Sequence, residues 1–163
     1  MLHCKLAGLL CLGALLCISC CRYSFKGSTL PPGVRTVSLP LFINQTLEAG
    51  LEDEVRQSLQ QAIITDNTLK LVENESDAEL AVEISQYGNR PKDYDQAGSV
   101  KTYQVIIGVK VLFRNLKEDQ VIYQGNLSGT GTYDHQLETE DAGKERALKQ
   151  LNEAILNNTL SGW

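Results

Sequence analysis

Beyond residue 21 the chain contains no cysteine; all five lie at positions 4, 11, 17, 20 and 21. The body of the protein therefore has neither a disulfide framework nor a cysteine metal site. Positive charge is also scarce, with 15 Lys and Arg against 20 Asp and Glu, a net charge of −5 and a pI near 5.0. Nucleic-acid binding by bulk charge, which needs a basic surface, is not expected. Aromatic residues make up 6% of the chain, and there are two histidines. No apolar run reaches the ~20 residues of a membrane-spanning helix. At 163 residues and 42% hydrophobic content the chain suits one domain with an ordinary core. That composition excludes collagen-like, low-complexity and fully disordered classes.

The N-terminus carries a targeting pattern. Lys5 provides a short positive region, and residues 6–18 form an uncharged run of 13. That length fits the hydrophobic region of a signal peptide. The run ends in Cys17-Ile18-Ser19-Cys20-Cys21, which resembles a bacterial lipobox, where a cysteine after a small residue is diacylated and the signal is cut just before it. Cys20 has Ser19 before it but Cys17 where Leu is typical. Cys21 has Ile18 three residues before it but Cys20 directly before it. Cys20 is the favoured lipidation site and Cys21 stays open. The expected organisation is a signal at 1–19, an anchor and linker at 20–33, and a single domain at 34–163. Cleavage before Cys20 takes 19 of 163 residues and leaves 144; Lys5 goes with the signal, so −5 becomes −6. A lipid anchor tethers a protein to a membrane without embedding it. Neither cysteine is followed by Asp, which in enterobacterial-type sorting directs a lipoprotein to the outer membrane.

The rest of the chain alternates strand and helix patterns. Residues 35–42 place Val37, Leu39 and Leu41 on one face of a strand that ends or borders at Pro40. Leu51, Val55, Leu59, Ala62 and Ile63 recur at helical spacing behind three acidic first-turn residues. Residues 69–72 read as a second strand, parallel to the first by a helical crossover. Leu80, Val82 and Ile84 alternate. So do Tyr103, Val105, Ile107, Val109, Val111 and Phe113, with Thr102, Gln104, Gly108 and Lys110 between them. The latter pattern is one buried and one wet face of an antiparallel sheet. Val121, Tyr123, Leu127 and Tyr133 share one face of a last strand interspersed with Gly125, Gly129 and Gly131, glycines that mark a bend or a close backbone approach. Thr139 is placed to cap a final helix with Ala147, Leu148, Leu151, Ala154 and Ile155 as its apolar stripe. The sum is an α+β two-layer sandwich, with two helices on one face of a four- to five-stranded mixed, mainly antiparallel sheet.

Catalytic patterns are sparse. Asp134-His135 has no nucleophile with it, and neighbouring side chains rarely point together. No metal-ligand spacing, phosphate-cradling loop or cofactor motif occurs, so no enzyme activity, metal or cofactor is expected. Two surface features remain. One is a polar connection at 87–98 carrying Arg90 and Lys92, cations of the kind that bind phosphate. The other is the wet sheet face with Gln86, Thr102, Gln104 and Lys110.

Several short motifs carry a resemblance. Tyr23 and Phe25 after the lipobox, Leu30-Pro31, Phe42-Ile43-Asn44-Gln45-Thr46, Gly50-Leu51-Glu52 and Ser76-Asp77-Ala78-Glu79-Leu80 occur in this order. The chain thereby resembles the LptE family of lipopolysaccharide-assembly lipoproteins, although Arg22 stands where Gly is usual. The alignment would put the lipid on Cys21. The resemblance implies an outer-membrane lipoprotein that plugs and helps assemble an LptD-like β-barrel and supports lipopolysaccharide transport to the outer leaflet. The wet face and last strand would then meet the barrel wall, and Arg90 and Lys92 would become ligand-binding candidates for lipopolysaccharide phosphates, by charge and not by a matched motif. The alternative is a periplasmic adaptor for another envelope machine, such as a peptidoglycan synthase.

Overall fold

The computed structural model describes residues 30–160. The expected signal segment at 1–19 and both candidate lipidation sites, Cys20 and Cys21, lie outside them. Eight elements follow in order: β1 (Thr36–Ser38), β2 (Ile43–Asn44), α1 (Leu51–Asp66), β3 (Lys70–Leu71), β4 (Ala78–Tyr94), β5 (Val100–Asn115), β6 (Gln120–Asp134) and α2 (Glu140–Thr159). The sheet has six strands in the order β3-β1-β4-β5-β6, with β2 also paired to β4. β1 runs parallel to β3 and β4, and the long β4-β5-β6 meander is antiparallel. Both helices cover one face. The architecture is the anticipated α+β sandwich with a mixed, mainly antiparallel sheet.

The extra strand comes from Pro40. The stretch 35–42 is not one strand; β1 ends at Ser38 and β2 begins at Ile43. Proline lacks an N–H for the ladder, and the face reverses across it. Val37 is buried, but Leu41 is 83% exposed and Phe42 enters the core in its place. Val37, Leu39 and Leu41 therefore do not share a face.

α1 buries Leu51, Val55, Leu59 and Ile63, one residue per turn. Gly50 begins it in a left-handed conformation (φ 79°), and Asn67 ends it likewise (φ 57°), donating its N–H to the Ile63 carbonyl. Asn44 sets the entry to this helix. Its amide donates to the Glu48 carbonyl (2.8 Å) and to Glu52 (2.7 Å), while its side-chain oxygen accepts from the N–H and hydroxyl of Thr46. The Asn44-Gln45-Thr46 motif is thus a turn that aims α1.

α2 buries Gly143, Ala147, Leu148, Leu151, Asn152 and Ile155. Asn152 takes the place expected for Ala154, because its amide donates to the Ser58 hydroxyl (2.7 Å) and ties α2 to α1. Thr139 occupies the cap position without a side-chain cap bond. The glycines of β6 explain how α2 lies so close to the sheet. A Cβ on Gly129 would overlap the Ala147 carbonyl and sit 2.6 Å from the Leu151 nitrogen. One on Gly131 would overlap the Gly143 carbonyl and sit 2.7 Å from the Ala147 nitrogen. The backbone that approaches these glycines is the chain's own helix. The inward side of β6 therefore meets α2.

Irregularities in the two antiparallel ladders decide which side chains face which way. Residues opposite one another across a ladder share a face. Ile84 lies opposite Val109, yet Gln86 lies opposite Gly108, so Ser85 is an inserted residue. Beyond it the inward positions of β4 change from even to odd, and Tyr87 and Asn89 turn to the core side. A second insertion falls at Lys92. On β6, Tyr123 opposes Phe113 but Val121 opposes Arg114. The shift turns Val121 to the uncovered face, where it is 49% exposed, and corrects the grouping of Val121 with Tyr123, Leu127 and Tyr133.

Candidate interface on the uncovered sheet face

The face opposite the helices has no layer of protein over it. Gln86, Thr102, Gln104 and Lys110 all lie there, as their pairing requires. Ile106, Leu112 and Arg114 of β5 lie beside them, with Thr132, Thr130, Ser128, Asn126 and Gln124 of β6 alongside. Lys110 pairs with Glu83 across the strands (2.6 Å), and Arg114 reaches Asp119 (3.5 Å) and Glu79 (3.9 Å). Toward the lower end Leu41 and Ile43 project over the sheet. With Ala81, Leu112, Lys110 and Gln124 they line an open cavity of about 610 Å³. This face mixes small polar residues, ion pairs and exposed aliphatic groups.

Arg90 and Lys92 also belong to this face, but not to a loop. The segment 87–94 continues β4, which stays paired with β5 from Tyr87–Ile107 to Tyr94–Val100. The connection proper is 95–99, held by the Asp95 carboxylate, which accepts from the N–H groups of Ala97 (2.9 Å) and Ser99 (2.8 Å), with Gly98 at φ 83°. Turn residues and Pro91 make the stretch read as a loop. Pro91 is tolerated because β4 has no outer neighbour above β2. Arg90 lies opposite Gln104. Lys92 reaches across β5, and its ammonium donates to the Thr132 hydroxyl (3.2 Å). The two cations thus bracket Gln104 at the upper end of the uncovered face. Arg90 makes no ion pair among the described residues.

Asp134 and His135 do not form an acid–base pair. The Asp134 carboxylate accepts from the Gln136 N–H (3.0 Å), while His135 Nδ1 lies 3.3 Å from the Lys101 carbonyl and its ring packs edge-on to Tyr103. Among the described residues no group of three His, Cys, Asp or Glu is arranged for a metal, and no helix is long and apolar enough to cross a membrane.

Two clusters that position the face join residues far apart along the chain. On the core side Lys144 of α2 binds Glu48 (3.2 Å) and Glu54 (3.4 Å) and lies over the Tyr87 ring, while the Tyr87 hydroxyl donates to Glu140. Burial lowers the Lys144 pKa, but the two carboxylates overcome it and raise the value above its ordinary level. Burial and the Glu140 carboxylate push the Tyr87 pKa far up, so it stays protonated. At the lower end Asp77 forms an ion pair with Lys117 (2.5 Å) and accepts from the N–H groups of Arg35 (2.8 Å) and Thr36 (2.9 Å). Lys117, then these N–H groups, hold its carboxyl well below 3.8. The bracket fixes β1 against the foot of the meander. Its partners are about 40 residues apart, and only the Ser76-Asp77-Ala78 motif hinted at it.

Across residues 34–159 the chain matches the family described as LptE, lipopolysaccharide-assembly. The chain belongs to the LptE family. The family is a non-enzymatic one. No curated protein matches the chain by sequence. Similar solved structures include protein XCC0632 from Xanthomonas campestris (13% identity, 79% of this chain and 88% of that one, TM-score 0.56). CT253 from Chlamydia trachomatis is another (11%, 77% and 97%, TM-score 0.55). PelC from Paraburkholderia phytofirmans, a dodecamer, also matches (12%, 78% and 88%, TM-score 0.52). At these identities the likeness is one of fold.

Proposed function

We propose that this LptE-family chain is an outer-membrane lipoprotein, anchored through Cys20 or Cys21, that occupies and helps assemble an LptD-type β-barrel. The observation that supports this best is the uncovered face of the β4-β5-β6 meander. Three strands of 15 to 17 residues present one whole side without a covering layer, and that side carries the exposed Leu41 and Ile43. A concave protein wall is the natural cover for such a surface. In this reading Arg90 and Lys92 contact lipopolysaccharide phosphates from the upper end of the face, since both cations lie on it and Arg90 has no anionic partner among the described residues.

The test uses tagged full-length protein purified from detergent-solubilised envelopes, as wild type and as Ile106→Asp. Ile106 lies at the centre of the uncovered face. The expected result is recovery of a large β-barrel protein with the wild type and its loss with a folded Ile106→Asp variant. Recovery of a cell-wall synthase in place of a barrel would establish the second reading, a periplasmic adaptor for another envelope machine.

A further inference from the structure

The sheet has two long edges, and they are built differently. Above Ile84 the outer edge of β4 carries Arg90, Pro91, Lys92 and Asp93, charges and a proline that discourage another strand from pairing. The opposite edge, β6, has no charge and no proline before Asp134, and no neighbouring strand on its outer side among the described residues. A neutral, unpaired edge is a template for a further strand.

Only part of that edge is open. At the upper end α2 covers it. Gln150 Oε1 accepts from the Thr130 N–H (2.6 Å) and hydroxyl (2.9 Å), and Arg146 donates to the Thr132 carbonyl (2.7 Å). These bonds show that even-numbered residues here turn their backbone groups outward, so the N–H and C=O groups of Gln124, Asn126 and Ser128 face outward as well. At the lower end the shift between Val121 and Tyr123 makes Ile122 an inserted residue, and such a bulge bends a strand out of register. The open window therefore runs from Gln124 to Ser128, with Asn126 at its centre. On its core side the Tyr123 ring lies over Gly125, where a Cβ would fall 2.9 Å from Tyr123 Cζ. Tyr123 and Leu127 are both only partly buried.

We propose that two copies of this chain pair through these windows, β6 antiparallel to β6 about a twofold axis at Asn126. The window is its own complement. With Asn126 opposite Asn126 of the second copy, Gln124 falls opposite Ser128 in both directions, and each pair exchanges both backbone bonds. The side chains that meet are neutral amides and hydroxyls, so no like charges face one another, although each chain carries a net −5. On the core side Leu127 of each copy falls opposite Gly125 of the other and lies against the Tyr123 ring above it. Two partly exposed apolar groups thereby cover each other. In the same register the capped Thr130 of one copy faces the bulged Ile122 of the other, so neither obstacle interrupts the window. Pairing of β6 with β4 of another copy would continue into an open chain of sheets, and residues 90–93 block it. Pairing of β6 with itself closes on a dimer. This inference goes beyond the barrel-plug reading and does not rest on it, because the uncovered face stays open in the pair.

Light scattering over a dilution series of the lipidated mature protein in excess detergent tests this, together with amide hydrogen exchange. A monomer–dimer equilibrium is expected. The Gln124, Asn126 and Ser128 amides should gain protection as protein concentration rises, while the Gln150-capped Thr130 amide does not change. Gln124→Lys/Ser128→Lys sets like charges opposite one another twice and should weaken the dimer about tenfold. Gln124→Lys/Ser128→Glu puts as many new charges on the same edge but sets opposite charges face to face, and should keep the dimer within about threefold of wild type. This pair of variants separates a lost interface from a lost fold. Ile106→Asp, on the uncovered face, should dimerise as the wild type does. A monomer at every concentration, protection at 124, 126 and 128 that ignores concentration, or equal loss in the two double variants would overturn the inference. So would a dimer that Ile106→Asp abolishes, which assigns the contact to the uncovered face, or protection that arises only with a bound barrel, which assigns the edge to that partner.

Discussion

The two faces of β5 come from one stretch of chain and obey opposite rules. Val105, Ile107, Val109, Val111 and Phe113 are at most 1% exposed, packed under the helices. Their neighbours Gln104, Ile106, Lys110, Leu112 and Arg114 form the uncovered side. On the core face a side chain is constrained by volume and by the absence of water. On the uncovered face it is constrained by whatever partner docks there. Stability is therefore concentrated on one side of the sheet and recognition on the other, and substitutions one residue apart should separate the two.

The largest effect should come from Ile107→Asp. A carboxylate placed there has no partner among aliphatic side chains, and the cost is about 4 kcal/mol or more, enough to unfold much of a domain of ordinary stability. Ile106→Asp, one position along, should stay within about 1 kcal/mol of wild type. Chemical denaturation of both variants breaks the comparison if they fall together.

Gly131→Ala comes next. The added methyl meets the Gly143 carbonyl and the Ala147 nitrogen, which belong to a helix backbone and cannot move aside cheaply. A loss of about 2 kcal/mol is expected. Gly88→Ala, where nothing lies within 4 Å, should be close to neutral. Equal melting temperatures for the two would show that α2 does not press on β6.

Acid should act on the foot of the sheet. The Asp77 carboxyl is held below its ordinary 3.8 by Lys117 and the Arg35 and Thr36 N–H groups. A carboxyl whose folded pKa is depressed adds stability that is present above the unfolded value and lost as pH falls through the folded one. Stability should therefore decline below about pH 4, and Asp77→Asn should flatten the part of that decline that Asp77 supplies. An unchanged acid limb in the variant would remove Asp77 from the account.

The smallest effect on stability, and the sharpest test of the uncovered face, is Arg90→Glu with Lys92→Glu. Lys92 loses one exposed bond to Thr132 and Arg90 has no ion pair to lose, so stability should move by less than about 1 kcal/mol. Binding of purified protein to lipopolysaccharide should weaken at low salt, and the difference should shrink at high salt. Equal affinities at low salt would place the cargo site elsewhere.

Much of this was legible along the chain. The odd positions of β5 and the stripe of α1 follow from periodicity, which is local and needs no partner to be read, and the parallel β1–β3 pair follows from the strand–helix–strand order. Arg90 and Lys92 were legible as candidate cations but not as strand residues. Asp93 and Pro91 read as turn chemistry, and only the ladder with β5 overrules that reading.

What the sequence determined by itself is the class of fold and the identity of the core, because a run such as Val105 to Phe113 can bury only one side of a strand. Its short motifs also indicated the family. What the tertiary structure alone decided is where the exceptions point. One inserted residue at Ser85 turns Tyr87 to the core, the shift at the start of β6 turns Val121 outward, and the break at Pro40 exchanges Leu41 for Phe42. Each reverses a period-two pattern, and a pattern of period two carries no sign of its own. Gly129 and Gly131 likewise await a partner in sequence, and it is the approach of α2, brought back by the chain's own folding, that gives them one.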